Sequence, residues 1–307
     1  MVLAEAGHSV VLLDNLSNSS VDVVNRLLKI TKVSFPFVKA DVRDTDLVKE
    51  TLRRFKIDAV MHFAGLKSVA ESVANPNLYY DNNVGGSVSL VAAMNACRVK
   101  RLVFSSSATV YGEPVYLPYD EQHPTSPINP YGRSKLFVEG MLKDQADSDP
   151  EFGAICLRYF NPVGAHESGL INEDPRGIPN NLVPYILKVA SGELPYLNIY
   201  GDDYDTPDGT GVRDYIHVMD LARGHLAALN YLEKHSGWDA INLGTGRGVS
   251  VLEMVQAFKA STGKELPYKI VARRPGDLPS YYALAENAFK LFGWEAEANI
   301  ENSFNTI

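Results

Sequence analysis

The sequence predicts an α/β protein in which a doubly wound parallel sheet is joined to a smaller mixed α/β region for substrate binding. Three observations carry that expectation. Short apolar runs with β-branched content are each followed by a longer amphipathic stretch, the chain order of a parallel sheet with crossover helices. The runs end near small, polar or charged residues, and in doubly wound sheets ligands sit beyond the carboxyl ends of the strands. From Asn161 to Asp214 the chain turns rich in Pro, Gly, Asn and Asp with few long periodic segments, as a loop-rich second region requires.

Taken in order, the strands are Val10-Val11-Leu12-Leu13, Ala59-Val60-Met61-His62-Phe63, Arg101-Leu102-Val103-Phe104-Ser105 and Ala154-Ile155-Cys156-Leu157-Arg158-Tyr159. Between them the apolar spacing predicts helices near Leu47 to Arg54, Leu78 to Ala96 and Tyr131 to Lys143, the last opened by Pro130 at a helix-start position. The expected division is 1–161 for the sheet domain and 162–307 for the substrate region, with part of 214–245 returning to the sheet. Gly244-Thr245-Gly246-Arg247-Gly248 reads as an ordinary loop.

The 307 residues are 45% hydrophobic, enough for a substantial core. Lys and Arg number 29 against 37 Asp and Glu, a formal charge of −8, which argues against coating nucleic acid or an anionic membrane. An anionic ligand must then be held by a few placed cations. Cys97 and Cys156 form no CxxC pair and point to a reducing compartment, so the expected location is cytoplasmic. The opening residues lack a positively charged signal region, and no run approaches the ~18–20 apolar residues of a membrane span. Without a secretory signal, the sequons at Asn15 and Asn18 read as loop residues.

A dinucleotide-binding sheet normally begins with a strand and a glycine-rich turn that lets pyrophosphate approach a helix N-terminus. This sequence opens instead on Val2-Leu3-Ala4-Glu5-Ala6-Gly7, read as the tail of the first helix, and the expectation is that the first strand is missing. Asp14, at the end of the next strand, has the position of an acceptor for adenosine ribose hydroxyls.

The chemistry gathers around Tyr131-Gly132-Arg133-Ser134-Lys135. A spacing of four puts Tyr131 and Lys135 on one helical face, and a nearby ammonium favours the phenolate of a tyrosine whose ordinary pKa is ~10. Ser105-Ser106-Ser107 follows a strand, and one of these hydroxyls could orient a reacting alcohol while Tyr131 takes its proton. No HxxxH, HExxH or Cys-His grouping appears, so His62, His166 and His217 read as structural and no metal is expected.

Those motifs, with Asp81-Asn82-Asn83, Arg158 to His166, Gly177 to Leu182 and Gly211 to Val218, resemble the extended short-chain dehydrogenase/reductases, and within them the UDP-glucose 4-epimerase family. The resemblance runs from about Gly7 to Trp294 and implies a Rossmann-like sheet. It implies an NAD site made by Asp14, Asn15, Leu16, Ser17, Asn18, Ser19, Asp41, Val42, Phe63, Ala64, Gly65, Leu66, Lys67, Asn82, Ser107, Lys135 and Phe160. It implies a UDP-sugar site made by Ser107, Tyr131, Asn161, Asn180, Asn181, Leu182, Asn198, Ile199, Tyr200, Arg213, Arg274, Pro275, Gly276, Asp277 and Tyr281. Arg213 and Arg274 suit a diphosphate, since guanidinium offers several donors and a charge that does not titrate away.

The family's chemistry inverts C4 of a UDP-hexose, interconverting UDP-galactose and UDP-glucose in galactose metabolism. Tyr131 would remove the C4 hydroxyl proton with Ser107 orienting the oxygen and Lys135 lowering the tyrosine pKa, while NAD carries the hydride. A nucleotide-sugar dehydratase carries Asp-Glu where this chain has Ala108-Thr109, so dehydration ranks below epimerisation. A bulky residue at Tyr281 implies rejection of N-acetylhexosamines. The resemblance also implies a homodimer packed through helices, and a further helix after Gly293-Trp294 that this sequence is expected to lack. The opposing expectation is a shortened chain that has lost NAD and activity with the glycine turn.

Overall fold

Strands covered on both faces cannot show the alternation of a half-exposed sheet, and the run Gly153–Tyr159, buried at six consecutive positions, is such a strand. The computed structural model describes residues 1–173, 179, 181–274, 277–299 and 304. The first half runs α1 (Val2–Glu5), β1 (Leu12–Asp14), α2 (Asp22–Thr31), β2 (Phe37–Lys39), α3 (Thr45–Arg54), β3 (Ala59–His62), α4 (Val69–Ala74), α5 (Pro76–Tyr79), a π-helical turn (Tyr80–Gly85), α6 (Gly86–Cys97), β4 (Arg101–Ser105), α7 (Pro130–Ser148) and β5 (Gly153–Tyr159). The second half runs β6 (Asn161–Val163), α8 (Leu182–Ala190), β7 (Leu197–Tyr200), β8 (Val212–Arg213), β9 (Tyr215–His217), α9 (Val218–Leu232), β10 (Gly237–Leu243), β11 (Val249–Ser250), α10 (Val251–Thr262), β12 (Tyr268–Val271), β13 (Ser280–Tyr281) and α11 (Glu286–Phe292).

Strands β10, β5, β4 and β3 form one parallel sheet in that order, so the segment after α9 returns to pair with β5. Strands β1 and β2 form a separate parallel pair. Leu13 on β1 and Val60 on β3 pack against the same apolar cluster, yet no described strand joins the two pieces. That cluster, built on Val48, Leu90, Met94, Leu102 and Leu142, fills one face of the sheet. A second cluster around Ile155, Leu157, Ala228 and Leu243 fills the other face under α9. A third, from Val163 to Phe304, is the core of the smaller region, where β7 pairs with β12.

Local chemistry sets the element ends. The Asp44 carboxylate accepts from Leu47 N at 3.1 Å and caps α3, a contact worth about 1 kcal/mol. Asn129 accepts from Gly132 N at 2.8 Å, so α7 begins at Pro130, one residue before the expected start, and runs on past Lys143 to Ser148. The helix expected from Leu78 to Ala96 is present from Pro76 to Cys97, with a π turn between α5 and α6. Asn83 lies at that turn. Its amide bonds the backbone of Leu66 in both directions, accepting from Leu66 N at 2.7 Å and donating to Leu66 O at 3.0 Å, which anchors this turn to the loop after β3. Such bulges are frequent at functional sites. Short β2 and the amphipathic α2, whose apolar Val23, Val24, Leu27, Leu28 and Ile30 recur at helical spacing, lie between the predicted elements and are not among them.

Candidate active site

The carboxyl end of β4 passes into Ser105, Ser106 and Ser107, and the first turn of α7 lies against the segment that follows. A Cβ at Gly132 would stand 2.7 Å from Thr109 O and 2.9 Å from Pro127 Cβ, so only glycine lets the helix approach this closely. The approach brings Tyr131 and Ser107 together: the Ser107 hydroxyl acts on the Tyr131 phenol, favouring its phenolate, and accepts from Thr109 Oγ1 at 2.9 Å. Lys135 is 4% exposed and its Nζ donates to Ser105 O at 2.6 Å, with the ammonium 5.9 Å from the centre of the Tyr131 ring.

Burial penalises the charged form of both groups. It lowers Lys135 to about 8, opposed by the carboxylate of Glu139 and, more weakly, by Cys156. It raises Tyr131 above the ordinary phenol value, opposed by the Ser107 hydroxyl. In the ligand-free site burial thus dominates the Tyr131 phenol, and Ser107 is the group that favours its phenolate. The two side chains share one face, and the loss of one proton from the two together leaves either Tyr131 phenol with neutral Lys135 or the productive phenolate with the ammonium.

The cofactor-side residues gather at the ends of β1, β2 and β3. Asp14 is exposed, its Oδ1 accepting from Leu16 N at 2.6 Å and from Ser19 Oγ at 3.2 Å. Asn15 donates to Asp41 at 3.1 Å, Ser17 N to Asn15, and Asn18 is exposed in the same turn. Arg43 holds the Asp41 carboxyl below its ordinary range. Val42 is buried beneath Gly86. Phe63 is 55% exposed, unusual for so large an apolar ring, with His225 on its other side at 4.8 Å between centroids. Ala64 and Gly65 follow; a Cβ at Gly65 would lie 3.6 Å from Lys135 Nζ. Leu66 is tied to Asn83, and Asn82 donates to the Asn83 amide. Lys67 pairs with Glu173 at 3.0 Å.

The sugar-side residues come from the smaller region. Phe160 and Tyr281 pack against one another, tilted by 51° with ring centres 5.1 Å apart, and the Tyr281 hydroxyl is buried without a partner among the described residues. Pairing of β13 with β8 sets Tyr281 opposite Arg213. Arg213 makes no ion pair among the described residues, whereas Arg274 pairs with Asp277 at 2.8 Å and lies 4.7 Å over the Tyr200 ring. Burial pushes the Tyr215 phenol up to about 12, opposed by the charges of Arg213 and Arg274. Asn161 begins β6, and Asn181 donates to Glu173 at 2.7 Å. Asn198 is half-buried on β7; Ile199 is 1% exposed within the smaller core, leaving only its backbone for a ligand. Leu182 packs on that core too. Asn180, Pro275 and Gly276 lie outside the described residues.

Sequence reasoning missed Asn83 as the anchor of the Leu66 loop and Glu173 as the link between Lys67 and Asn181. Two adjacent amides inside a helical stretch were the available signal for Asn83. His62 bonds Ser87 at 2.9 Å and burial lowers it to about 3, and His217 caps α9 through Met219 N, so both are structural. Among the described residues no group of three His, Cys, Asp or Glu side chains is placed to hold a metal, and no helix is long and apolar enough to cross a membrane.

A Tyr/Lys pair on a buried helix face with a serine at the adjoining strand end, set in a Rossmann-like sheet, defines an oxidoreductase-type site that works on an alcohol carbon. Residues 1–244 match the NAD dependent epimerase/dehydratase family. UDP-glucose 4-epimerase of Dictyostelium discoideum is 54% identical over 97% of this chain and 87% of its own length, and that of Bacillus subtilis is 52% identical over 97% and 88%. The solved UDP-glucose-4-epimerase of Stenotrophomonas maltophila, with bound NAD and formylated UDP-arabinopyranose, superimposes with a TM-score of 0.97 at 48% identity, covering 99% of this chain and 90% of that one. The Bifidobacterium longum enzyme in complex with NAD+ and UDP gives 0.95 at 50% identity, covering 99% and 91%. The chain belongs to the NAD dependent epimerase/dehydratase family and, within it, to the UDP-glucose 4-epimerases.

Proposed function

We propose that this protein interconverts UDP-galactose and UDP-glucose with NAD as cofactor, and that Tyr131, Ser107 and Lys135 carry the chemistry. The observation that carries the reading is the close approach of the first turn of α7 to the Ser107 segment, which sets Tyr131 beside Ser107 and a buried Lys135, within a chain 54% identical to an epimerase.

The hydrogen on C4 of a hexose is not acidic, so inversion requires oxidation and re-reduction. When bound, NAD supplies the reversible hydride acceptor for that step. The residues present fit such a group: Asp14 offers an exposed carboxylate to ribose hydroxyls, Phe63 an uncovered apolar face, and Gly65 leaves room beside Lys135. Among the described residues no glycine-rich turn stands at these strand ends, so no side chain is assigned to the pyrophosphate. Ser107 fixes the C4 oxygen, Tyr131 takes its proton and later returns it, and Lys135 exchanges protonation with the tyrosine. The 4-keto sugar turns over within the site while Arg213 and Arg274 hold the diphosphate. Ala108 and Thr109 carry no acid or base for dehydration.

Two finer readings go with this one. Tyr281, backed by Phe160 and Tyr119, closes the pocket against an N-acetyl group. Comparable kcat/KM for UDP-GlcNAc would sink that reading. Leu78, Val88 and Phe137 are exposed on α5, α6 and α7 and suit a helix-packed homodimer, which sedimentation of Phe137→Glu as a monomer would support. The expected setting is the cytoplasm, in galactose metabolism, with no nucleic-acid or membrane partner. The direct test supplies UDP-galactose and NAD and identifies the product: UDP-glucose is expected, and a 4-keto-6-deoxyhexose would overturn the reading.

A further inference from the structure

One face of α7 carries Tyr131, Lys135 and, one turn further, Glu139. Glu139 is 1% exposed, and its two oxygens are fully engaged. Oε1 accepts from Ser106 Oγ and from Arg158 Nε at 3.0 Å; Oε2 accepts from Arg158 at 2.6 Å. Arg158, 4% exposed on β5, donates onward to the Tyr111 hydroxyl at 3.2 Å, and Tyr111 donates to Asn242 at 2.7 Å. Asn242 in turn donates to Tyr119 O at 2.9 Å and to Leu284 O at 3.3 Å, in the strap that carries Tyr281.

The three serines at the end of β4 therefore have separate partners. Ser105 bonds Tyr159 through its hydroxyl and Lys135 through its carbonyl, Ser106 bonds Glu139, and Ser107 faces Tyr131. Ser106 and Ser107 are consecutive on the short segment that leaves β4, so fixing Ser106 fixes the backbone from which Ser107 projects. We propose that the buried Glu139–Arg158 ion pair is a positioning device for catalysis: through Ser106 it sets the serine segment so that Ser107 meets Tyr131 and the Ser105 carbonyl meets Lys135. It rests on the assignment of Tyr131, Ser107 and Lys135 proposed above. Burying two charges solely for stability is a poor bargain, since well-packed apolar residues of similar volume often do as well or better. A positioning role accounts for the pair's place beside the reacting groups.

Glu139 has a second effect on the same site. The groups facing the Lys135 ammonium are Tyr131 and Glu139 on α7, His62 on β3 and Cys156 on β5, and Glu139 is the one that sustains its charge most. Removing the carboxylate lets the Tyr131–Lys135 pair lose its first proton at lower pH.

The test compares Glu139→Gln, Glu139→Asp and Ser106→Ala with wild type in the NAD-loaded protein, using UDP-galactose across pH 6 to 10. Glu139→Gln is expected to lower kcat at least ~10-fold with KM for UDP-galactose changed less than about threefold, and to move the acid limb of the kcat profile to lower pH. Ser106→Ala should lower kcat ~5-fold or more with the limb in place, because the carboxylate remains. Glu139→Asp should bring the limb back towards wild type. Folded Glu139→Gln with wild-type kcat and limb overturns the proposal, as does a kcat loss with an unmoved limb alongside wild-type Ser106→Ala, which marks a merely structural pair. If Glu139→Gln does not fold, Ser106→Ala decides: wild-type kcat there overturns it. An inactive wild type would instead refute the proposed epimerase reading.

Discussion

The wall that holds Tyr131 and the rim that holds Asp14 are built in opposite ways. Ser105, Ser106, Ser107 and Lys135 are all buried and all bonded: Ser105 ends the five-residue β4, Ser106 and Ser107 follow it directly, and Lys135 lies on α7 packed against them. Asp14, Asn15, Ser17 and Asn18 are exposed: Asp14 ends the three-residue β1, which among the described residues pairs with β2 alone, and the others lie in the turn beyond it. The difference teaches a division of labour. Groups that move protons are held rigidly before substrate arrives, as preorganised electrostatics require, whereas groups that grip a nucleotide are left open to it.

That contrast breaks most easily at the wall. Tyr131→Phe should lower kcat by about 10²–10⁴-fold with little change in NAD retained per folded chain; near-native turnover would refute the base. Asp14→Ala should do the reverse, weakening NAD by about 10-fold or more through loss of a charged hydrogen-bond acceptor while leaving kcat at saturating NAD nearly unchanged. Equal effects on both parameters from both variants would erase the distinction. A smaller effect follows from protonation. With Lys135 lowered to about 8 and Tyr131 raised, the pair sheds its first proton near pH 8, so kcat should climb from pH 7 and level off above that limb. A profile flat from pH 6 to 9 would contradict it.

The smallest effect is on stability. Burial lowers His62 to about 3 and His225 to about 4. A histidine with a folded pKa below its unfolded ~6.5 contributes stability that is whole above ~6.5 and is lost as pH falls towards the folded value. The urea midpoint should therefore drop between pH 7 and 5, and His225→Gln should flatten that dependence. An unchanged midpoint would mean both imidazoles reach water.

The same contrast explains what the sequence revealed. Tyr131 and Lys135 were legible because the helical period puts them on one face, and β4 and β5 because buried parallel strands read as unbroken apolar runs. Ser107 was legible as one of three serines, but its partners were not: Tyr159 and Glu139 engage its neighbours from elements far along the chain. The π turn was hidden because Asn83 answers to a loop, not to helical spacing. Arg158 was read within a longer string with no hint of Glu139, since nothing local pairs residues on a helix and a strand. Phe63 was placed at a strand end, but only the packed structure reveals that its ring is uncovered.

The central claim is that C4 is oxidised and reduced in one site without exchange with water. The measurement is to convert UDP-[4-²H]galactose in ordinary water and locate the label in the product. The account predicts UDP-glucose that keeps deuterium at C4. Solvent hydrogen at that carbon would contradict it.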